Sequence, residues 1–264
     1  WGRIDETFGE DPFLTGVLAE AMVKGYQGDD LSSSDSILAC AKHFAAYGET
    51  VGGRDSAETE ISERKLRSLF LPPFKRVVDT GCATIMAGYH ANDGVPCSAD
   101  KRLLTDILKD EWGFDGFVVT DWNNIGHLHT TQMVAKDLKD ASRMALEAGN
   151  DIMMFTLDFY DKAIELVEDG IIKEEIINES CRRILKLKFE LGLFDDNRFA
   201  NTSKAEKVIN CKEHRKVACQ TARESIVLLK NQEDILPLDN NIDKIAVIGP
   251  NADDVTAQYG DWAM

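Results

Sequence analysis

Short apolar runs alternate with longer segments of helical period, and this alternation constrains the fold more than any other feature of the sequence. The runs predict strands at residues 37–41, 83–86, 117–119 and 151–154. Because their side chains are apolar without alternation, both faces of each strand must be covered. Strand–helix alternation predicts a parallel α/β sheet, either open or closed into a barrel.

Helices are expected before and between these strands. Asp11 is a good N-cap and Pro12 suits a first helical position. The apolar residues that follow share one helical face: Leu14, Val17, Leu18, Ala21 and Met22. A second helix is expected to open at Ser62, to be interrupted at Pro72-Pro73 and then to resume. Further helices are predicted near 101–111, 134–147, 158–169 and 174–191, the last ended by Gly192.

The pattern changes after residue 192. Residues 193–210 lose periodicity and predict a linker. A helix near 212–224 and apolar runs at 226–229 and 245–248 then predict the start of a second α/β unit. The sequence opens on Trp1 without an initiator Met, so we expect a piece of a longer protein whose compartment (bacterial cytoplasm, periplasm or secreted) stays undetermined.

Charge and hydropathy restrict the partners. There are 30 basic and 46 acidic residues, a formal net charge of −16. The negative electrostatic field of such a chain disfavours binding to nucleic acid and to anionic membranes. No apolar run in the sequence approaches the length of roughly 18 residues that a membrane span needs. The sequence leaves open whether the protein forms a homo-oligomer.

Polar and aromatic side chains follow three of the predicted strands, where ligands bind in parallel α/β folds. They are Lys42 and His43, Tyr89 and His90, and Asp121 and Trp122. An aromatic face beside hydrogen-bonding groups suits a sugar. From the residues alone, Asp121 is either a cap on the next turn or a reactive carboxylate aimed into a pocket.

A set of motifs in a fixed order resembles glycoside hydrolase family 3, the β-glucosidase-like retaining enzymes. The motifs are WGRIDETFGEDP, KHFAAYG, GGRD, SERKLRSLFLPPF, IMAGY, LLTDILKDEWGFDGFVVTDW, CRRILKLKFELGLF, ARESIVLLKN and KIAVIGPNAD. The resemblance implies that residues 1–192 form the later part of a TIM-like (β/α) barrel and that 193–210 form a linker. Residues 211–264 would then begin an α/β sandwich domain. KHFAAYG and GGRDSAET argue against the N-acetylglucosaminidase branch, which has KHFPGHG.

The same resemblance implies roles for single residues. Asp121 looks like the catalytic nucleophile of hydrolysis at terminal non-reducing β-D-glucosyl residues. Arg3, Lys42 and His43 resemble the residues that bind the hydroxyl groups of the sugar. Met86 and Tyr89 resemble residues that line the same subsite. Trp122 resembles a wall near the leaving group. The general acid/base is expected beyond the C-terminal end of this sequence.

Several alternatives stay open. A β-xylosidase or α-arabinosidase is the nearest one, and an inactive carbohydrate-binding fragment is the rival from another class. Arg54 and Asp55 are expected to fix a loop as an ion pair. No cofactor or metal is expected, because His127 and His129 lack a third ligand at a recognisable spacing.

Overall fold

The structure is a computed structural model that describes residues 1–196 and 199–259. The chain divides into two compact units, Trp1–Arg198 and Phe199–Met264. The first unit contains a parallel sheet in the order β1 (Cys40–Phe44), β2 (Thr84–Ala87), β5 (Phe117–Thr120). This confirms the predicted α/β class with a parallel sheet.

The fourth predicted strand, 151–154, is reduced to a single parallel bridge between Val119 and Ile152. A hairpin of β3 (Ala91–Asn92) and β4 (Val95–Pro96) was not predicted. Its turn residues Asp93 and Gly94 have φ of 47° and 81°. Two successive positive φ values are typical of the two-residue type I′ hairpin turn that Asp-Gly favours.

Helices flank the sheet. They are α1 (Pro12–Gln27), α2 (Glu63–Lys65), α3 (Leu71–Asp79), α4 (Asn124–Thr130), α5 (Leu138–Ala148), α6 (Phe159–Glu168) and α7 (Glu174–Glu190). Two π-helical segments, Leu66–Phe70 and Arg102–Glu111, complete the first unit. The expected interruption at Pro72-Pro73 is wrong, since both prolines lie in the first turn of α3, where a missing N–H costs least.

Helix α1 shows why a correct helix prediction can still give the wrong face. Asp11 caps it by accepting a hydrogen bond from Leu14 N. The predicted apolar face is nevertheless largely exposed, and the buried residues of α1 are Gly16, Val23 and Gln27. A Cβ on Gly16 would lie 3.1 Å from Arg76 Cδ and 3.5 Å from Pro73 Cα. The face of α1 that contains Gly16 therefore packs against α3, because the glycine lets the two helices approach closely.

The main core lies between the sheet and the helices that follow β1 and β2. Its members are buried residues of the strands and of the Arg102–Glu111 helix, among them Phe44, Ile85, Leu104, Leu108 and Val118. Trp112 and Phe74 flank the Phe44 ring edge-on, at centroid distances of 5.9 and 5.0 Å. This core holds the three strands in register and thereby fixes the residues that follow them.

The second unit contains α8 (Thr202–Val208) and α9 (Lys212–Glu224). Helix α8 lies inside the expected linker 193–210, and its N-cap Asn201 accepts from Lys204 N. The predicted strands at 226–229 and 245–248 are not formed. Leu229 is 92 % exposed and Ile248 is 90 % exposed. A strand needs a hydrogen-bonded neighbour, and neither run pairs with one among the described residues.

Within the described ranges, no helix has both the length and the apolar character that crossing a bilayer requires.

Candidate active site

The register of the sheet brings the predicted site residues to one edge. Phe44 of β1 is level with Ala87 of β2, which is level with Thr120 of β5. Gly88 N also donates to Phe44 O at 3.1 Å. Residues that end or follow these three strands therefore lie side by side.

Strand β1, Cys40–Phe44, begins and ends three residues later than the predicted strand 37–41. Lys42 and His43 lie inside β1 rather than after it, and His43 is buried. The side chain of Lys42 is exposed, and its ammonium group has no hydrogen-bond or ion-pair partner within residues 1–196 and 199–259. An uncompensated positive charge at this edge is suited to bind an oxygen-rich ligand.

Asp121 follows β5 and faces His43. Its Oδ2 lies 3.4 Å from His43 Nε2, and its side chain is only 15 % exposed. Its other oxygen, Oδ1, accepts from the following residue, Trp122 N, at 2.7 Å. The N-cap of α4 is Asn123, so Asp121 does not cap that helix. The carboxylate points at the residue cluster on the strand edge.

Arg3 approaches the same histidine from the N-terminal segment. Its Nη2 lies 3.5 Å from His43 Nε2. Glu6 holds the guanidinium in two hydrogen bonds, Nε–Oε1 at 2.8 Å and Nη2–Oε2 at 2.6 Å. The hydrogen bond to Glu6 raises the pKa of Arg3, although burial acts against it. A single imidazole nitrogen can donate to Asp121 or accept from Arg3, so its tautomer decides which contact forms.

Tyr47, which the sequence did not single out, connects these groups. Its ring meets the His43 ring edge-on at 4.8 Å, and the Arg3 Cζ lies 5.4 Å from the Tyr47 centroid. Its hydroxyl donates to Asp55 Oδ1 at 2.6 Å. Burial and the Asp55 charge raise the pKa of Tyr47 to about 12, so the phenol stays protonated. Spacing alone gave no signal for this residue.

Asp55 also corrects an expectation. Its Oδ1 lies 3.7 Å from Arg3 Nη1, so among the described residues it forms an ion pair with Arg3 and not with Arg54. Asp55 thereby belongs to the hydrogen-bonded surroundings of the site.

Met86, Tyr89 and Trp122 are the other predicted site residues. Met86, in β2, is partly exposed, whereas its strand neighbours Ile85 and Ala87 are fully buried on the opposite face. The hydroxyl of Tyr89 donates to the Trp122 carbonyl at 2.9 Å. Burial and the charge of Asp121 raise the pKa of Tyr89 above its ordinary value. Trp122 is 53 % exposed.

His90, the other histidine of the predicted strand ends, does not reach this cluster's surface. It is fully buried, and its Nε2 lies 2.8 Å from Ala45 O. His129 Nδ1 lies 3.0 Å from Ala135 O. No group of three or more metal-ligating side chains occurs in the part of the chain that the structure describes.

The buried histidines predict acid sensitivity. Burial lowers the pKa of His43 to about 4, with the charges of Arg3 and Lys42 acting in the same direction, and burial likewise lowers the pKa of His90 to about 4. In the unfolded chain histidine titrates near pH 6.5. Between about pH 6.5 and 4 the unfolded state therefore binds more protons, and the free energy of unfolding falls as the pH falls. Each histidine contributes up to about 1.4 kcal/mol per pH unit in that window.

Unfolding of the full-length protein at a series of pH values measures this slope. Of the two histidines, only His90 lies outside the candidate site. The variant His90→Gln removes its titration, so the free energy of unfolding is expected to change less steeply between pH 4 and 6.5. Parallel profiles for the wild type and this variant would show that His90 takes up its proton normally in the native state.

Comparison with known proteins places these features in a family. Residues 1–187 match the glycosyl hydrolase family 3 N terminal domain, and residues 226–264 match the family 3 C-terminal domain. The chain belongs to glycoside hydrolase family 3. The family resemblance inferred from the ordered motifs is thereby confirmed.

Curated relatives of this family 3 chain carry two activities in their names. It is 37% identical over 270 residues to the periplasmic β-glucosidase of Salmonella typhimurium, covering 100% of this chain and 35% of the relative. It is 36% identical over 276 residues to a β-xylosidase of Formosa agariphila, covering 100% of this chain and 38% of the relative. The chain thus spans little more than a third of these relatives' length.

Solved structures of β-glucosidases have the same α/β fold as this chain. A β-glucosidase involved in saponin metabolism from intestinal bacteria superposes with a TM-score of 0.94 at 50% identity, covering 99% of this chain and 35% of that one. The β-glucosidase of Listeria innocua in complex with isofagomine gives a TM-score of 0.85 at 35% identity, covering 90% of this chain and 34% of that one.

Proposed function

We propose that the full-length protein hydrolyses terminal non-reducing β-D-glucosyl residues of β-glucosides or oligosaccharides by a retaining double displacement. The observation that carries this proposal is the carboxylate of Asp121, which lies 3.4 Å from His43 at the carboxyl edge of a parallel sheet. The β-glucosidases among the relatives and solved structures support the choice of glucoside.

In this mechanism Asp121 is the nucleophile. Its carboxylate attacks the anomeric carbon while a carboxylic acid about 5–5.5 Å away protonates the departing oxygen, giving a covalent glycosyl-enzyme. The same acid, now a carboxylate, then takes a proton from water, which attacks the anomeric carbon and releases both sugar and Asp121. We place that acid in a part of the protein outside residues 1–264.

The remaining cluster binds the sugar. Arg3, Lys42 and His43 would donate to or accept from hydroxyl groups, and Met86 and Tyr89 would line the same subsite. Because Arg3 is already held by Glu6 in two hydrogen bonds, it needs little reorganisation when the sugar enters. His43, whose pKa burial lowers to about 4, is neutral near pH 7 and lies 3.4 Å from Asp121 without pairing it to a full charge.

The domain boundaries belong to the same proposal. Residues 1–192 would be the later part of a closed (β/α) barrel, 193–210 a connecting segment and 211–264 the start of an α/β sandwich domain. The family 3 N- and C-terminal domain matches end and begin at 187 and 226, on either side of the proposed connection. Because the 264-residue chain alone would lack the general acid, we expect it to hydrolyse ordinary glycosides poorly or not at all.

A second candidate is β-xylosidase activity, favoured by the 36% identity to the Formosa agariphila enzyme. The full-length protein, assayed on aryl β-glucosides, β-xylosides and α-arabinosides with the same leaving group, separates the candidates. We expect kcat/KM for the glucoside to exceed that for the xyloside by roughly tenfold or more, because the C6 hydroxymethyl group adds contacts in the transition state. A reversed order assigns the protein to the xylosidases, and no turnover on any of the three contradicts glycoside hydrolysis.

A further inference from the structure

Tyr47 is a buried residue that contacts two of the predicted sugar-binding side chains. It opens a short 3₁₀ turn, Tyr47–Glu49, just after β1, and it is only 3 % exposed. Its hydroxyl accepts a hydrogen bond from Arg3 Nη1 at 3.5 Å, and its ring meets the His43 ring edge-on. Because so little of Tyr47 reaches the surface, it can influence a bound sugar only through the residues that it contacts.

The guanidinium of Arg3 is held from two sides. Glu6 accepts hydrogen bonds from Nε and Nη2 on one side, and the Tyr47 hydroxyl accepts one from Nη1 on the other. The guanidinium carbon also lies over the Tyr47 ring, 5.4 Å from its centroid. All three nitrogens of this planar group are thereby engaged, so its remaining N–H groups have fixed directions.

A loop holds the phenol oxygen in place. The Tyr47 hydroxyl donates its single proton to Asp55 Oδ1 at 2.6 Å, so the Ser56 hydroxyl, 3.2 Å away, acts as a donor to it. Ser56 has φ of 62°, in the left-handed region that residues other than glycine seldom adopt. Thr50 Oγ1 donates to Arg54 O at 2.7 Å and thereby closes the loop that carries Asp55 and Ser56.

The ring of Tyr47 and its hydroxyl have different surroundings. The ring stacks on the buried His90 at a centroid distance of 5.1 Å and meets the Trp1 indole edge-on at 5.4 Å. The hydroxyl instead contacts the charged groups of Arg3 and Asp55. Removing the hydroxyl alone therefore keeps the packing of the ring and changes only what holds the guanidinium.

We propose that Tyr47 is a positioning residue for the proposed hydrolysis, and that its hydroxyl, held by Asp55, directs the guanidinium of Arg3 at one hydroxyl group of the sugar. This inference rests on the proposed function. Without the phenol oxygen, Nη1 loses an acceptor and Asp55 loses a donor, so the guanidinium is free to turn. A donor that must reorient when the sugar binds stabilises the transition state less than one that is already aligned.

The full-length protein, assayed on 4-nitrophenyl β-D-glucoside and its 2-, 3-, 4- and 6-deoxy analogues, tests this role. The variant Arg3→Lys identifies the hydroxyl group that Arg3 binds, because its loss of kcat/KM is smallest on the analogue that lacks this group. We expect Tyr47→Phe to reduce kcat/KM roughly 5- to 30-fold on the parent glucoside and less than about threefold on that same analogue. The control Tyr160→Phe removes a phenol that is 72 % exposed and is expected to leave all five values unchanged.

The acceptor of the phenol provides a second test. Asp55→Asn keeps an oxygen that can accept from the Tyr47 hydroxyl, whereas Asp55→Ala does not. We expect Asp55→Ala to give the same selective loss as Tyr47→Phe, and Asp55→Asn to recover at least part of it. Equal losses for the two Asp55 variants would overturn the part of the proposal that gives Asp55 the role of holding the phenol.

The remaining outcomes separate this inference from the proposed function. Equal losses of Tyr47→Phe on all five substrates would give the hydroxyl a purely structural role, and no loss on the parent glucoside would show that it is not needed. Arg3→Lys losses that are equal on all five substrates would show that Arg3 binds no single hydroxyl group. Each of these results overturns the positioning role and leaves glycoside hydrolysis intact. A wild type that cleaves none of the substrates contradicts the proposed function, and the positioning role falls with it.

Discussion

Replacing Asp121 by alanine is expected to reduce hydrolysis of an aryl β-glucoside by the full-length protein roughly a thousandfold or more in kcat. Each tenfold loss corresponds to about 1.4 kcal/mol of activation free energy, so removal of the covalent step raises the barrier by at least about 4 kcal/mol. The physical reason is that alanine has no carboxylate with which to form the covalent glycosyl-enzyme. Initial rates on the purified variant measure the loss.

The variant Asp121→Asn is the matched control for folding. Its amide oxygen can still accept the hydrogen bond from Trp122 N, which in the wild type is 2.7 Å from Oδ1. A similar loss of rate in both variants, with an unchanged melting temperature for Asp121→Asn, assigns the loss to the missing nucleophile. Near-normal turnover in either variant would exclude Asp121 from that role.

Replacing Asp151 by asparagine is expected to cause the largest loss of stability. Asp151 is buried. Its carboxylate accepts hydrogen bonds from three donors: Lys109 Nζ at 2.9 Å, Val118 N at 2.7 Å and Ser180 Oγ at 3.0 Å. It thereby joins the Arg102–Glu111 helix, β5 and α7. Burial lowers the pKa of Lys109, while the Asp151 charge opposes the shift. Without that charge the buried ammonium group keeps only neutral acceptors, among them Gly149 O at 2.7 Å.

Breaking one partner of such a pair costs about 3–5 kcal/mol, which lowers the melting temperature of a unit of this size by on the order of 10 °C. The control is Asp115→Asn, which removes a carboxylate that is 72% exposed and paired with Lys186. Surface pairs contribute about 0–1 kcal/mol, so this variant should melt within about 2 °C of the wild type. Adding Lys109→Met to Asp151→Asn is expected to recover part of the loss. Equal melting temperatures for the Asp151 and Asp115 variants would refute the account of the buried pair.

The sequence carried enough information for the elements that depend on local chemistry. The caps at Asp11 and Ser62, the three sheet strands and helix α9 all follow from residue type and period. The hairpin at Asp93-Gly94 was not predicted, although the Asp-Gly pair is a recognisable turn signal. Strands at 226–229 and 245–248 were predicted from apolar runs alone, but a strand is stabilised by its neighbour and not by its own composition.

The sequence predicted several residues of the candidate site, but it did not predict Tyr47 or the contacts that join these residues. The position of Asp121 after an apolar strand indicated a strand-end carboxylate, and the motif order named its neighbours. The pairing of Arg3 with Glu6, the role of Tyr47 in contacting both Arg3 and His43, and the Asp55–Arg3 contact depend on side chains that meet only after the chain folds. Phe155 lies 34 positions after Asp121, and the bridge at Ile152 together with the hydrogen bonds of Met154 brings it onto Trp122.

The most direct measurement of the central claim is to trap the covalent intermediate. A 2-deoxy-2-fluoro-β-D-glucoside with a good leaving group slows breakdown of the glycosyl-enzyme, and peptide mass spectrometry then locates the added sugar. We predict a single label on Asp121, in the peptide that contains the Thr120-Asp121-Trp122 segment. A label on a different carboxylate, or time-dependent inactivation with no covalent sugar, would contradict the assignment of Asp121 as the nucleophile.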